Sequence, residues 1–311
     1  MENWLAAGDE TGGWDIVNGG FETSFVGLAW ALAPVTAWEK ALRMEIGGRT
    51  ALDVFSSPFS QRLSGVRLPA KSPKYHILDI WSYCNEKKLF HEVSLDTPQD
   101  DPVLELLRSD AAWLLGESGL GVLAMGGNAG DAKAAGLGLS GDGLRERARA
   151  YAGLMTVALP FLPGDASLNM LVEGRLELEI ADAVKSSRFA ELVTEKRVLE
   201  PFRDFLGRLN EDIGRASERC QGVLGGGKSV REFSCKGSGV MASFMQERLR
   251  GMPFFKSNAE TVVKAMLGIA DLAAALVPRP DGKQTRLVVP AGMSANLWAG
   301  NFRELRHAIH G

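Results

Sequence analysis

The sequence contains few of the residues that build zinc sites and disulfide frameworks. Its three cysteines, Cys84, Cys220 and Cys235, are widely scattered along the 311 residues and match neither a zinc-site spacing nor an even disulfide set. The four histidines show no metal-ligand spacing with these cysteines. The cysteine pattern therefore excludes a disulfide-stapled scaffold and a cysteine-based zinc module, and it favours a cytoplasmic protein.

Long apolar runs are also absent. No run approaches the roughly 20 residues that a membrane helix needs, and positions 1–4 provide no basic region ahead of an apolar core, as a signal peptide would. We therefore expect a cytoplasmic protein with no membrane partner. The chain is long enough for one large hydrophobic core or for two small domains.

A strong excess of one charge sign is missing as well. The formal net charge is −3, which argues against the broad basic footprint that drives nonspecific nucleic-acid binding. A metal-dependent nuclease is still compatible with this charge, because its centre is acidic and its metal ions attract phosphate. The charge therefore leaves nucleic acid open as a partner without predicting a basic binding face.

The start of the chain places two adjacent carboxylates at the tip of a predicted strand. An apolar run that begins at Trp4 ends in Asp9 and Glu10, and Gly12 and Gly13 follow closely. Because side chains alternate between the two faces of a strand, Asp9 and Glu10 cannot both point into one site. Taken alone, such a pair is typical of a polar turn, so its significance depends on a second acid elsewhere.

That second acid lies inside a long apolar helix pattern near the end of the chain. The pattern runs from about Asn258, a candidate N-cap, to Pro278, which ends it. Asp271 is flanked by alanine, isoleucine, leucine and valine, where an ionised carboxylate is very costly without a partner. Asp271 is therefore protonated, paired or bound to metal, and a structural hydrogen bond would be enough to explain a single instance.

Together, the two motifs resemble a family of ribonuclease H-like proteins catalogued as domain of unknown function 3800. In that family a first strand ends in Asp-Glu-Ser-Gly, a second strand follows, and a late helix carries a Leu-Gln-Leu-Ala-Asp-Leu-type motif. The counterparts here are positions 8–12, 24–32 and 268–272. The resemblance spans roughly 4–277, and it implies a metal-dependent nuclease in which Asp9 and Asp271 hold the metal ions.

Further ligands follow from the same resemblance, because phosphodiester cleavage by two metal ions requires several carboxylates at one point. The expected ions are Mg²⁺ or Mn²⁺, which take oxygen ligands. Asp79 loosely matches an acid that the family often shows after its first helix, and Glu173 lies in a predicted strand beside a glycine; a surface role explains each equally well. Glu10 is an alternative ligand, and Arg175, if it lies near, could hold a substrate phosphate with two hydrogen bonds.

The order of predicted elements favours an α/β fold. An antiparallel opening pair of strands is followed by alternating helices and strands, which suits a mixed sheet flanked by helices, as in the ribonuclease H-like fold. We divide the chain into a ribonuclease H-like domain with insertions at 1–277 and a small C-terminal extension at 278–311. The predicted strands are 4–9, 24–33, 121–125, 167–180, 230–235 and 286–289, and the predicted helices are 35–46, 102–115, 142–159, 196–219, 258–278 and 302–309.

Two other functions remain open. Positions 222–229 match the phosphate-binding pattern G-x-x-x-x-G-K-[ST], but helix-like residues precede this stretch and strand-like residues follow it. A nucleotide-binding loop needs the reverse order, so we interpret the stretch as a glycine loop in which Lys228 would be the residue to test. Alternatively, the fold is a binding or scaffold module without turnover, as the near-neutral charge favours. A protein partner could also deliver the nucleic acid.

Overall fold

A computed structural model gives the fold of the chain. The described residues are 3–57, 92–96, 101–137, 143, 146, 150, 154, 167–172, 259–278, 286–289, 293 and 296–303. The strands are β1 (Asn3–Gly12), β2 (Ile16–Val17), β3 (Gly20–Phe21), β4 (Phe25–Pro34), β5 (Glu45–Ile46), β6 (Arg49–Thr50), β7 (Glu92–Ser94), β8 (Gly121–Asn128), β9 (Ser167–Val172), β10 (Arg286–Val288) and β11 (Leu297–Asn301). The helices are α1 (Val35–Arg43), α2 (Ala51–Ser56), α3 (Pro102–Ala112), α4 (Ala129–Ala134) and α5 (Ala259–Ala274).

Five strands form one mixed sheet in the order β11-β8-β4-β1-β9. Strand β4 lies antiparallel to both β1 and β8, whereas β9 runs parallel to β1 and β11 runs parallel to β8. The C-termini of β1, β8, β9 and β11 therefore meet at one end of the sheet, which we call the carboxyl end. This arrangement confirms the predicted α/β class with a mixed sheet and helices.

Both faces of the sheet are buried. On one face, alternate residues such as Leu5 and Ala29 pack into a core cluster with α1, α2, α3 and α5. The intervening residues, among them Ala6 and Trp30, are fully buried on the other face. This two-sided burial explains why Phe25–Pro34 is almost continuously apolar rather than alternating. We call the first face the α5 face.

A buried hydrogen bond attaches α1 to the sheet. Trp38 is fully buried, and its Nε1 donates to the carbonyl oxygen of Leu5 at 2.9 Å, which satisfies an indole N–H that burial removes from water. The helix ends at Arg43, three residues before the end of the predicted helix 35–46. Gly47 and Gly48, both with positive φ, then form the turn of the β5–β6 hairpin, which the sequence did not predict.

Helix α2 lies in a stretch for which the sequence predicts neither a helix nor a strand. Thr50 begins the helix: its Oγ1 accepts a hydrogen bond from the Asp53 backbone N–H at 3.2 Å and donates to Asp53 Oδ2 at 2.6 Å. Thr50 and Asp53 together therefore form a variant of the capping box.

The structure around Gly126 and Gly127 also differs from the prediction. The sequence predicts a strand over 121–125 and no further element before 142, but β8 continues to Asn128 and α4 begins directly after it. Glycine is needed inside this strand because its neighbours pack closely on both faces. The helix forms because Asn128 Oδ1 accepts a hydrogen bond from the Asp131 backbone N–H at 2.8 Å.

The long predicted elements are confirmed where their residues are described. Helix α3 occupies the predicted region and continues into a π-helical turn at Trp113–Glu117, and α5 occupies most of 258–278. Strand β11, which lies within the predicted C-terminal extension, joins the main sheet beside β8. In the part of the chain that the structure describes, no helix is both long and apolar enough to cross a membrane.

Candidate functional site

Asp9 lies near the carboxyl end of β1, on the α5 face of the sheet. Two residues before it, Ala7 packs into the core cluster that contains α5. Two residues after it, Thr11 lies on the same face, because its Cγ2 is 3.1 Å from the position that a Cβ on Gly27 would occupy. Alternation along the strand therefore places Asp9 on the α5 face as well.

Small residues surround Asp9 across the sheet. Asp9 pairs with Ala29, Ala29 pairs with Ala124, and Ala124 pairs with Ala299. These alanines place no long side chain between the sheet and a helix above it. Asp9 itself is half-buried, and its Oδ1 accepts a hydrogen bond from the Glu10 backbone N–H at 2.8 Å. The site therefore consists of a carboxylate in a row of alanines.

The segment that follows α5 lies directly against the next row of the sheet. In this row Gly27 pairs with Gly126. A Cβ at Gly27 would lie 2.5 Å from Val277 Cγ1, and a Cβ at Gly126 would lie 2.4 Å from the same atom. Both distances are shorter than a carbon–carbon contact allows. Glycine at these two positions is therefore what lets the chain approach the sheet backbone.

Asp271 lies on α5, six residues before Val277, with three residues of helix and three of tight turn between them, which is about 10 Å along the chain. The helix packs against β1, β4 and α2. Asp271 is half-buried, whereas its neighbours Ala270 and Leu272 are buried. The two acids that the sequence selects therefore lie on elements that contact each other on one face of one sheet.

Glu10 does not share this position. It pairs with Leu28, which is fully buried and lies next to Ala29 in β4, so alternation places Glu10 on the face opposite α5. Regular pleating therefore separates Asp9 from Glu10, as the sequence predicts.

The remaining predicted site residues lie outside the described residues. They are Asp79, Glu173 and Arg175, together with the glycine loop at 222–229. Glu173 follows Val172 directly in the sequence, and Val172 pairs with Gly8, the residue before Asp9. Within the described ranges, no group of three or more histidine, cysteine, aspartate or glutamate side chains could hold a metal ion together.

A second polar cluster at the carboxyl end joins α4 to β11. Asp131 is only 4% exposed, and its carboxylate accepts hydrogen bonds from Arg303 Nε at 2.6 Å and from Asn301 Nδ2 at 3.2 Å. Burial raises the pKa of Asp131, but the hydrogen bonds from Asn301 and Arg303 and the charge of Arg303 outweigh burial and hold the pKa below its ordinary value. Asp131 is therefore ionised at neutral pH.

Sequence reasoning missed this cluster. Asn128, three residues before Asp131, is a helix-start signal that could have revealed α4. Neither Asn301 nor Arg303 carries a local signal that points to Asp131, because their contacts depend on β11 pairing with β8.

Comparison with known proteins gives no match. The chain matches no protein-family model, no curated protein and no solved structure.

Proposed function

We propose that the protein is a metal-dependent nuclease or a related phosphodiesterase with a ribonuclease H-like fold, which acts on nucleic acid through Asp9 and Asp271. The observation that carries the proposal is the contact between β1 and α5 on one face of the sheet. These two elements come from opposite ends of the chain, and each contributes one of the two acids. The mixed sheet, with its antiparallel opening pair, fits the same fold.

Distances along the two elements support a shared site. Asp271 precedes Val277 by about 10 Å, of which the first half is helix and the second half tight turns, and Asp9 precedes Thr11 by about 7 Å of strand. Val277 and Thr11 both lie beside Gly27, so comparable lengths separate each acid from a common point. The proposal requires the two carboxylates to lie within about 8 Å, close enough to share ions that are 3.5–4 Å apart.

The chemistry of the donors fits Mg²⁺ or Mn²⁺. Asp9 and Asp271 offer carboxylate oxygens, which these ions prefer, and half-burial leaves each side chain partly accessible to water and substrate. Bound there, the ions would stabilise the attacking and leaving oxygens of the phosphodiester. The carboxylates would position the ions, and the surrounding apolar residues would keep the site small.

Additional ligands are expected from residues that the sequence already singles out. Glu173 is the first candidate, because the C-termini of neighbouring parallel strands meet at the same end of a sheet, and β9 is parallel to β1. Asp79 is the second candidate, from the resemblance alone. Arg175 remains a proposed phosphate contact, whereas Glu10, on the face opposite α5, is not expected to share a metal ion with Asp271.

Cleavage of labelled RNA, DNA and hybrid oligonucleotides tests the proposal. We expect cleavage with Mg²⁺ or Mn²⁺ and none in EDTA. Asp9→Asn and Asp271→Asn should each lower the rate at least about 100-fold, since loss of even an indirect metal contact costs 10–100-fold. These substitutions preserve side-chain size, so circular dichroism and thermal unfolding should show a folded protein.

Asp15→Asn is the matched control, because Asp15 is exposed and lies only six residues from Asp9. It should cleave at the wild-type rate. Equal cleavage in EDTA, or wild-type cleavage by folded Asp9→Asn, would contradict the proposal. Binding of nucleic acid without any cleavage by the wild-type protein would instead favour the scaffold module.

A further inference from the structure

We propose that Arg303, held in place by the buried Asp131, is a phosphate-binding residue that contacts the backbone of a nucleic acid at the carboxyl end of the sheet. This inference rests on the proposed function for its class of substrate, but it concerns a different part of the molecule. It assigns Asp131 the role of a positioning residue, which acts through Arg303.

The guanidinium group of Arg303 is held at one edge and exposed at the other. Its Nε lies 2.6 Å from Asp131 Oδ1. The side chain of Arg303 is nevertheless 75% exposed, whereas that of Asp131 is 6% exposed. An arginine carries five N–H donors in a planar fork, and the Nη atoms of Arg303 make no hydrogen bond to a described residue. The Nε edge therefore faces the protein and leaves the Nη groups available to solvent.

The position of Asp131, and with it that of Arg303, is fixed by several contacts. Asp131 is fixed by the Asn128 cap at the start of α4 and by Asn301 at the end of β11. A Cβ at Gly127 would lie 3.0 Å from Asp131 Cβ and 3.2 Å from Phe302 Cδ2, so the absence of a side chain there makes room for the cluster. An arginine held in this way loses less conformational entropy when it binds an anion.

Arg303 and Asp131 lie at the carboxyl end of the sheet, the same end as Asp9. Strands β8 and β11 end at the same end of the sheet as β1, and three strand spacings, about 14 Å, separate β11 from β1. A duplex spans that distance in about four nucleotides. Gly127 and Gly126 face opposite sides of the sheet, so Asp131 lies on the face away from α5. A nucleic acid that crosses the carboxyl end could therefore contact Arg303 while another part of it lies near Asp9.

The charge of the pair decides what kind of contact to expect. Arg303 and Asp131 together are neutral, so they add little long-range attraction, and the chain as a whole carries −3. The contribution of Arg303 should therefore be one directional phosphate contact, which the planar fork can make with two hydrogen bonds.

Binding of fluorescein-labelled single-stranded and duplex oligonucleotides in EDTA tests this role separately from cleavage. Arg303→Ala should raise the dissociation constant about tenfold, as expected for loss of a charged hydrogen bond, and should lower the slope of log K against log salt by about one. Arg43→Ala is the matched control. Arg43 is also an exposed, ion-paired arginine, but it lies in α1, which follows the C-terminus of β4 and therefore the end of the sheet opposite the carboxyl end. This variant should bind as the wild type does.

Asp131→Asn separates positioning from simple attraction. It removes a negative charge beside Arg303, so a purely electrostatic role predicts tighter binding, whereas a positioning role predicts weaker binding. Thermal unfolding identifies any loss of folded protein, and Arg303→Ala, at an exposed side chain, remains decisive if Asp131→Asn does not fold.

The outcomes distinguish the two proposals. Wild-type binding that Arg303→Ala does not change, or tighter binding by folded Asp131→Asn, overturns the role of Arg303 even if the protein cleaves nucleic acid. Absence of any oligonucleotide binding also overturns it. Binding that depends on Arg303 in a protein that does not cleave in Mg²⁺ supports the phosphate contact and rejects only the nuclease.

Discussion

The two ends of the sheet are stabilised by arginine–carboxylate pairs of different kinds. After the end of β4, Arg43 pairs with Glu39 at 2.8 Å within α1, and both side chains are more than one third exposed. At the carboxyl end, Arg303 pairs with Asp131, which lies 172 positions away in the sequence and is buried. The first pair belongs to one helix, whereas the second joins two elements of the fold.

This difference extends to the neighbouring polar contacts. Near α1 and α2, Arg49 reaches Asp53 and Ser57, which are four and eight residues away. At the carboxyl end, Asn301 reaches Asp131 over 170 positions. Local contacts can form and break with one helix, but the long-range contacts require the assembled sheet. The carboxyl end should therefore be the more sensitive end, both in stability and in function.

The largest expected difference concerns one glycine from each end. Gly12 and Gly48 have similar positive φ values, 86° and 79°. A Cβ at Gly12 would lie 2.2 Å from the carbonyl oxygen of Phe25, whereas a Cβ at Gly48 would meet nothing within 4 Å. Gly48→Ala should cost about 1–2 kcal/mol for the left-handed backbone. Gly12→Ala should cost about 1–3 kcal/mol more, because the backbone must shift.

Urea unfolding of both glycine variants measures this difference in the free energy of unfolding. Gly20→Ala provides a baseline, because a Cβ there meets nothing within 4 Å and no positive φ is required. Equal losses of unfolding free energy for Gly12→Ala and Gly48→Ala would show that the strand ends at the carboxyl end can shift easily. The carboxyl end would then not be the more sensitive end of the sheet.

The next effect is the loss of each ion pair. Asp131→Ala should lower the free energy of unfolding by about 1.5–3 kcal/mol, since it removes two hydrogen bonds to a buried charged group. Glu39→Ala should lower it by less than about 0.5 kcal/mol, because an exposed pair within one helix contributes little. Denaturant unfolding of the two variants at neutral pH provides the test, and similar losses would contradict it.

The smallest expected effect is a pH dependence at the carboxyl end. The folded-state pKa of Asp131 lies below the ordinary value of 3.8, because the hydrogen bonds from Asn301 and Arg303 and the charge of Arg303 outweigh the effect of burial. Its ionised form therefore stabilises the protein above pH 3.8, and this stabilisation is lost as the pH falls through the folded-state pKa. The stability difference between wild type and Asp131→Asn should be constant from pH 7 to about pH 5 and should shrink below about pH 4. A difference that grows on acidification would show the opposite sign.

Much of the sheet could be predicted from the sequence because its strongest signals are local. The apolar run of β4 and the apolar helix pattern that stops at Pro278 can both be recognised from neighbouring residues. Asp9 and Asp271 could be selected for the same reason, since each interrupts an apolar element. That their two carboxylates lie close enough to share metal ions remains a prediction.

The missed parts depend on partners that are distant in sequence. Strand β11 is five residues long, and its place in the sheet comes from pairing with β8. Gly126 and Gly127 look like a strand end because glycine usually marks one, yet here they leave room for Val277 and Phe302. No local pattern encodes those neighbours. The same reasoning applies to Arg303 and Asp131, which only the assembled sheet brings together.

The paired glycines Gly27 and Gly126 also provide a criterion for comparing this chain with others that share its sheet. Together they determine how far the end of α5 stands from the backbone, because Val277 fills the space that two methyl groups would occupy. Metal chemistry tolerates displacements of only about 0.5 Å. If the nuclease proposal holds, a chain that keeps both acids but carries alanine or a larger residue at either glycine should have lost metal binding while keeping the fold. Activity among such chains would then be predicted better by these two glycines than by the acids themselves.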